Sequence, residues 1–148
     1  MTTEDTFQGP QKLSLVIYSG AFDKVHYAFA MASAALAINV PTTLFFTMEA
    51  TRTLLAKDED GPGWAAIAAG DGRPGAEVDG EFAARGVATF EDLVGAVAAL
   101  GGRVMVCEMG LRAIGLERSA LRMDLEIEEG GLVTFLTDAG RQGQIVFI

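Results

Sequence analysis

Four short, nearly unbroken apolar runs limit most strongly what this chain can fold into: LSLVIY at 13–18, TTLFFT at 42–47, RVMVC at 103–107 and QIVFI at 144–148. A strand with one wet face alternates apolar and polar residues; a strand covered on both faces need not. The segments between the runs read as helices. Residues 24–38 are alanine-rich and stop at Asn39 and Pro41, with Asp23 as the expected cap. Residues 48–57 read as helix. Thr89 caps a helix over 90–100, whose first turn holds Glu91 and Asp92 where the helix dipole favours them. Gly101-Gly102 ends it. A short helix is expected at 110–114, a further strand at 124–127, and a helix at 132–139 closed by Gly140. This alternation predicts an α/β fold with three layers, α/β/α, around a mostly parallel sheet of about five strands.

The length of 148 residues suits one domain. Its expected limits are 12–148, behind an N-terminal tail over 1–11. That tail is polar and has neither the basic nor the apolar region of a signal peptide. Glycine and proline punctuate a connection over 58–86, with a short helix expected at 64–69. A connection of that length in a compact domain is usually functional or mobile.

With 20 acidic and 11 basic residues, the net charge is -9, and no stretch concentrates lysine and arginine. Binding to nucleic acid or to an anionic membrane draws on clustered positive charge, so neither is expected. The longest apolar stretch, 28–40, is broken by Ser33 and Asn39 and is shorter than the ~20 residues of a membrane span. Half of the residues are hydrophobic, which predicts buried contacts between subunits and a homo-oligomer. The single cysteine excludes an internal disulfide and any zinc site built on several thiolates. With one histidine besides, neither a metal nor a cofactor is expected. A lone thiol fits the reducing cytoplasm.

Ligands of open parallel sheets bind beyond the carboxyl ends of the strands. Cys107 closes one strand and precedes a helix, where the helix dipole favours a thiolate. A small buried hydrophobe fits the same position, and the residues alone leave both readings open. Glu108 works against a thiolate if its carboxylate faces the sulfur. Arg112 either pairs with an anion held by Cys107 or is a solvated surface charge. A phosphatase loop is excluded, because it needs one more residue between cysteine and arginine. Ser19, Gly20, Asp23 and Lys24 lie in a turn that either offers N–H groups to an anion or simply joins strand to helix. The turn is neither a P-loop nor a Gly-x-Gly-x-x-Gly fingerprint. Glu49 follows the second strand and is placed near the thiol. His26 is read as structural, and no Gly-x-Ser-x-Gly elbow is present. Phe45 and Phe46 are assigned to the core. Trp64 and Phe82 cover either the site or a partner, or pack on the surface. The acids Glu126, Glu128 and Glu129 read as a solvated edge before Gly130-Gly131.

Four blocks carry a family resemblance: KLSLVIYSGAFDK, TTLFFT, VMVCEMGLRAIGL and GGLVTFLTDA with the short run after it. Their order and spacing resemble the DsrE/DsrF-like family, in particular the branch labelled DsrE-like or peroxiredoxin-like. The resemblance implies a flavodoxin-like three-layer fold and homo- or hetero-oligomers. It also implies intracellular sulfur relay, with a cysteine that takes up a persulfide or thiosulfonate and passes it to a thiol-bearing partner protein. Cys107 is the position that inherits that role. Met48-Glu49-Ala50 stands where the family often has an aromatic residue and a glycine. The peroxiredoxin label finds no support, because residues 103–107 contain neither the proline nor the threonine of that active-site segment.

Overall fold

The computed structural model describes residues 9–148, so most of the expected tail lies outside the described residues. The strands are β1 (Leu13–Ile17), β2 (Thr42–Phe46), β3 (Arg103–Cys107), β4 (Ile127–Gly130) and β5 (Gln144–Phe147). They form one sheet in the order β4-β3-β2-β1-β5. All four pairings are parallel. The helices are α1 (Phe22–Ala37), α2 (Gly75–Ala84), α3 (Phe90–Ala99), α4 (Glu108–Ala113) and α5 (Leu132–Ala139).

Side chains alternate across a strand, so each strand divides its residues between two layers. On one face Leu15, Ile17, Leu44, Phe46, Val104 and Val106 join α1 and α3 in the main core. An aromatic cluster knits this layer: Phe90 lies 5.1 Å from both Phe29 and Trp64 and 5.7 Å from Phe22. On the other face Phe45, Met105 and Cys107 form a smaller core closed by Phe135 of α5. The Phe45 and Phe135 rings stack at 4.6 Å. The layer over this second face is therefore thin.

Capping explains the helix ends. Thr89 and Asp92 form a reciprocal capping box on α3. Asn39 takes a left-handed φ of 65° just after α1, a conformation its short polar side chain tolerates. Asp23 is not the cap of α1. Ala21 holds that position, and the Asp23 carboxylate instead accepts the Gly70 N–H at 2.8 Å.

Three other expectations are corrected. Residues 48–54 form 3-10 turns rather than an α-helix. The 58–86 connection contains a 3-10 turn at Gly63–Ala66 and the whole of α2. Helix α2 is held by long-range contacts: Val78 is buried, and the Asp79 carboxylate accepts the Phe90 N–H at 2.7 Å. Its Phe82 packs 4.7 Å from His26, whose Nε2 lies 2.8 Å from the Ala88 carbonyl, and Trp64 is buried in the core. The fourth strand starts at Ile127 rather than 124, and it takes in Glu128 and Glu129. An edge strand tolerates these acids because one side stays open, and Arg103 pairs with Glu128.

Candidate functional site

The carboxyl ends of β1, β2 and β3 lie side by side, and the turn after β2 touches those after β1 and β3. Cys107 is the last residue of β3 and the N-cap of α4. Its Sγ accepts the Gly110 N–H at 3.4 Å, which satisfies one of the free donors that open every helix. Helix α4 therefore starts at Glu108, two residues before the expected position.

The thiol faces inward. Cys107 is only 1% exposed and packs with Phe45, Met105 and Phe135. Strand phase decides this, because Val104 and Val106 point into the main core and Met105 and Cys107 into the thin one.

The neighbouring turn presses close. A Cβ on Gly110 would stand 2.7 Å from Thr47 Oγ1 and 2.8 Å from the Met48 nitrogen. Met48 adopts a φ of 50°, a left-handed conformation that strains a non-glycine residue by on the order of 1 kcal/mol. Glycine at 110 thus lets α4 seat against the exit of β2. Gly110→Val should lower stability by about 2 kcal/mol, because the obstructing atoms include backbone. It should also displace the Gly110 N–H from the sulfur. Urea denaturation tests the first effect, and the rate of native thiol alkylation tests the second. A variant as stable and as unreactive as the parent would contradict both.

Gly20 and Glu49 are also brought together, since a Cβ on Gly20 would lie 2.7 Å from the Glu49 Cβ. The Glu49 carboxylate points away to an ion pair with Arg52 at 2.6 Å. Most donors of the 18–24 turn are already in use. The Tyr18 and Ser19 N–H groups donate to Ile148 O, Ala21 to Ser19 Oγ, and Phe22 to Ala68 O. The turn is thus less open to an anion than its sequence implies. Lys24 and Arg112 are exposed, and among the described residues neither side chain forms a hydrogen bond or ion pair. Among the described residues no hydrogen bond joins Cys107 to Ser19, Asp23, Lys24 or Arg112.

Gly110, Met48 and Phe135 are the site residues that sequence reasoning missed. The only signal for Gly110 was a glycine in the first turn after the cysteine. Two clefts, of about 500 Å³ and 550 Å³, lie elsewhere. The first includes Arg103, which stands ~13 Å along β3 from Cys107 at ~3.3 Å per residue. The second is lined by Lys57, Glu91, Arg122 and Met123 among others. Among the described residues no group of three His, Cys, Asp or Glu is placed to hold a metal ion. No helix among them is long and apolar enough to cross a membrane.

Comparison with known proteins agrees with this architecture. The ychN protein from E. coli is 16% identical, with a TM-score of 0.58 over 93% of this chain and 99% of its own. MTH1491 from Methanobacterium thermoautotrophicum, a protein of unknown function, is 12% identical, with a TM-score of 0.54 over 93% of this chain and 98% of its own. At these identities the likeness concerns the fold. No curated protein matches significantly. The profile of the DsrE/DsrF-like family matches residues 11–142, nearly the whole chain. This chain, with its five-stranded parallel sheet and its cysteine at the end of β3, belongs to the DsrE/DsrF-like family.

Proposed function

We propose that this chain is a sulfur-relay protein of the cytoplasm in which Cys107 carries sulfane sulfur as a persulfide or thiosulfonate. The observation that carries the reading is the position of Cys107: it ends β3, caps α4 and receives the Gly110 N–H in a DsrE/DsrF-like frame. A sulfur atom held there has a fixed donor for the charge it gains or loses.

The chemistry is exchange at sulfur. The Cys107 thiolate attacks the outer sulfur of a donor persulfide, the donor S–S bond breaks, and the donor thiolate leaves. With thiosulfate the leaving group is sulfite. With tetrathionate it is thiosulfate, and Cys107 keeps the thiosulfonate, Cys107–S–S–SO3−. The chain has no second cysteine, so the acceptor thiolate comes from a partner protein. It attacks the sulfane sulfur bonded to Sγ and releases the Cys107 thiolate. Arg112 and Lys24 are the free cations on this rim for an anionic donor, and Ser19, Gly20, Asp23 and Glu49 shape it. Because the thiol is buried, transfer proceeds through a locally opened state.

The rival, a non-catalytic small-anion or nucleotide binding module with an inert Cys107, draws only on the burial of the thiol, and the family match does not favour it. Intact-mass spectrometry of the native protein separates the two. After exposure to polysulfide, thiosulfate or tetrathionate, the parent should gain sulfur or thiosulfonate mass, and Cys107→Ser should gain none. A native protein that takes up nothing, and whose thiol alkylates only on unfolding, would sink the relay reading.

A further inference from the structure

Three buried side chains pack with Cys107 in the thin layer: Phe45 and Met105 from the sheet, and Phe135 from α5. The first two cannot leave without breaking the ladder between β2 and β3. Helix α4 is no easier to move, because Leu111 belongs to the main core and Gly110 is pressed against Thr47 and Met48. Phe135 alone comes from an element that can lift while the sheet stays intact. Beside it the layer is filled: a Cβ on Gly130 would meet Met105 Sδ at 2.9 Å and Thr134 Cγ2 at 3.4 Å. The way to the sulfur thus leads through α5 rather than around it. This helix is lightly held. Of its eight residues only Phe135 and Ala139 are buried, whereas α1 buries eight of sixteen. Leu132, Val133 and Leu136 are exposed, and no side chain caps the first turn. Glycines stand at both ends: Gly131, with open space where a Cβ would go, and Gly140 with a φ of 71°. Glycine takes up large backbone rotations at little steric cost. What ties α5 down is Asp138, one turn beyond Phe135, through Thr43, Lys12 and Arg103.

We infer that α5 is a lid over Cys107, latched by Asp138 and hinged at Gly131 and Gly140, and that the thiol reacts only when this helix has lifted. For the sulfur step the inference rests on the relay reading; the lid itself does not. Segments with few buried apolar contacts open at a lower free energy than the whole domain. The open fraction of α5 then sets how fast any reagent reaches the sulfur. Closed, the lid keeps the thiol, and a persulfide formed on it, from oxidants and from stray thiols. Open, it admits a donor persulfide or an acceptor thiolate to the same atom.

The rate at which native full-length protein is alkylated by iodoacetamide, a small neutral electrophile, tests it. Asp138 pairs with Arg103, which stands ~13 Å along β3 from Cys107, so its loss reaches the sulfur through the helix. Asp138→Ala should speed alkylation roughly 10-fold. Val97→Ala removes two buried methyls from α3 on the other face of the sheet. It should lower global stability comparably, yet leave the rate within about twofold of the parent's. In hydrogen exchange, the amides of α5 should exchange ahead of those of α1, and sooner still in Asp138→Ala. An Asp138→Ala rate equal to the parent's overturns the lid. So does a Val97→Ala rate raised as much as that of Asp138→Ala, or α5 amides that exchange only together with those of α1. Sulfur uptake from tetrathionate is followed separately and should rise with alkylation in Asp138→Ala. Uptake that stays at the parent's rate while alkylation rises overturns the lid's part in transfer. Faster alkylation with no sulfur gained by either protein leaves the lid standing and removes the relay reading.

Discussion

Phe90→Ala lowers the unfolding free energy by about 4 kcal/mol, as expected for truncating a fully buried phenylalanine. The side chain is 0% exposed and touches the rings of Phe22, Phe29 and Trp64, which come from α1 and the connection. None of these can fill the gap without breaking its other contacts, because Trp64 also donates to Glu91 at 2.9 Å. The loss is a large part of the 5–15 kcal/mol that holds a typical domain together. In urea the midpoint should fall while the slope stays the same, and Tm should drop by roughly 10 °C. The exposed Phe147 gives the contrast: at low protein concentration Phe147→Ala should change stability by no more than about 0.5 kcal/mol. A Phe90→Ala loss below about 1.5 kcal/mol would mean that the aromatic cluster relaxes freely, contrary to its packing.

The second large effect concerns the one helix that covers the thin layer. Asp138, near the end of α5, accepts from Thr43 Oγ1 at 2.6 Å, pairs with Lys12 at 3.1 Å, and pairs with Arg103 at 2.5 Å. These partners lie on or beside β1, β2 and β3, so one carboxylate ties α5 to three strands. Asp138→Ala takes the acceptor from a buried threonine hydroxyl and the carboxylate from Lys12, while Arg103 keeps Glu128, and should cost about 2 kcal/mol. The same group responds to acid. Burial pushes the Asp138 carboxyl up, but the hydrogen bonds from Thr43 and Lys12 and the charges of Lys12 and Arg103 outweigh it and hold the group below its ordinary value. A carboxyl depressed on folding stabilises fully above its unfolded value of about 3.9, and that stabilisation is lost as pH falls through the lower folded value. The acid limb of the stability curve should therefore be flatter in Asp138→Asn than in the parent. Parallel curves between about pH 5 and pH 2 would remove Asp138 from this role.

Strands β1, β2 and β3 were legible because each is an apolar run, the signature of strands between two layers; β5 is such a run as well, although its residues are mostly exposed. Strand β4 was displaced in the reading because Glu128 and Glu129 look like loop residues; only the partner Arg103, far away in the chain, makes Glu128 acceptable in a strand. Helix α2 was hidden by Gly75 and Gly80, and it stands on contacts that propensity does not contain, such as Asp79 on the Phe90 N–H. At the site, the sequence placed Cys107 between strand and helix. It did not reveal the side the thiol takes, which depends on strand phase and on Phe135 arriving from α5. Nor did it reveal that the 18–24 turn spends three of its donors on Ala68 and Ile148, since both acceptors lie far off in the chain.

The pairing of β5 with β1 has a consequence for how the protein is made. The ribosome delivers β1 first of the five strands and β5 last, yet the two end up as neighbours. A nascent chain that has emerged through α5 can already assemble β4-β3-β2-β1 with its helices. Its β1 flank, where the Lys12 and Val16 carbonyls accept from β5, then stays without a neighbour until β5 has emerged as well. Contacts so distant in the chain form slowly, and unpaired flanks invite association between nascent chains. The interval between the emergence of α5 and that of β5 is thus one in which a chaperone has an open strand flank to protect.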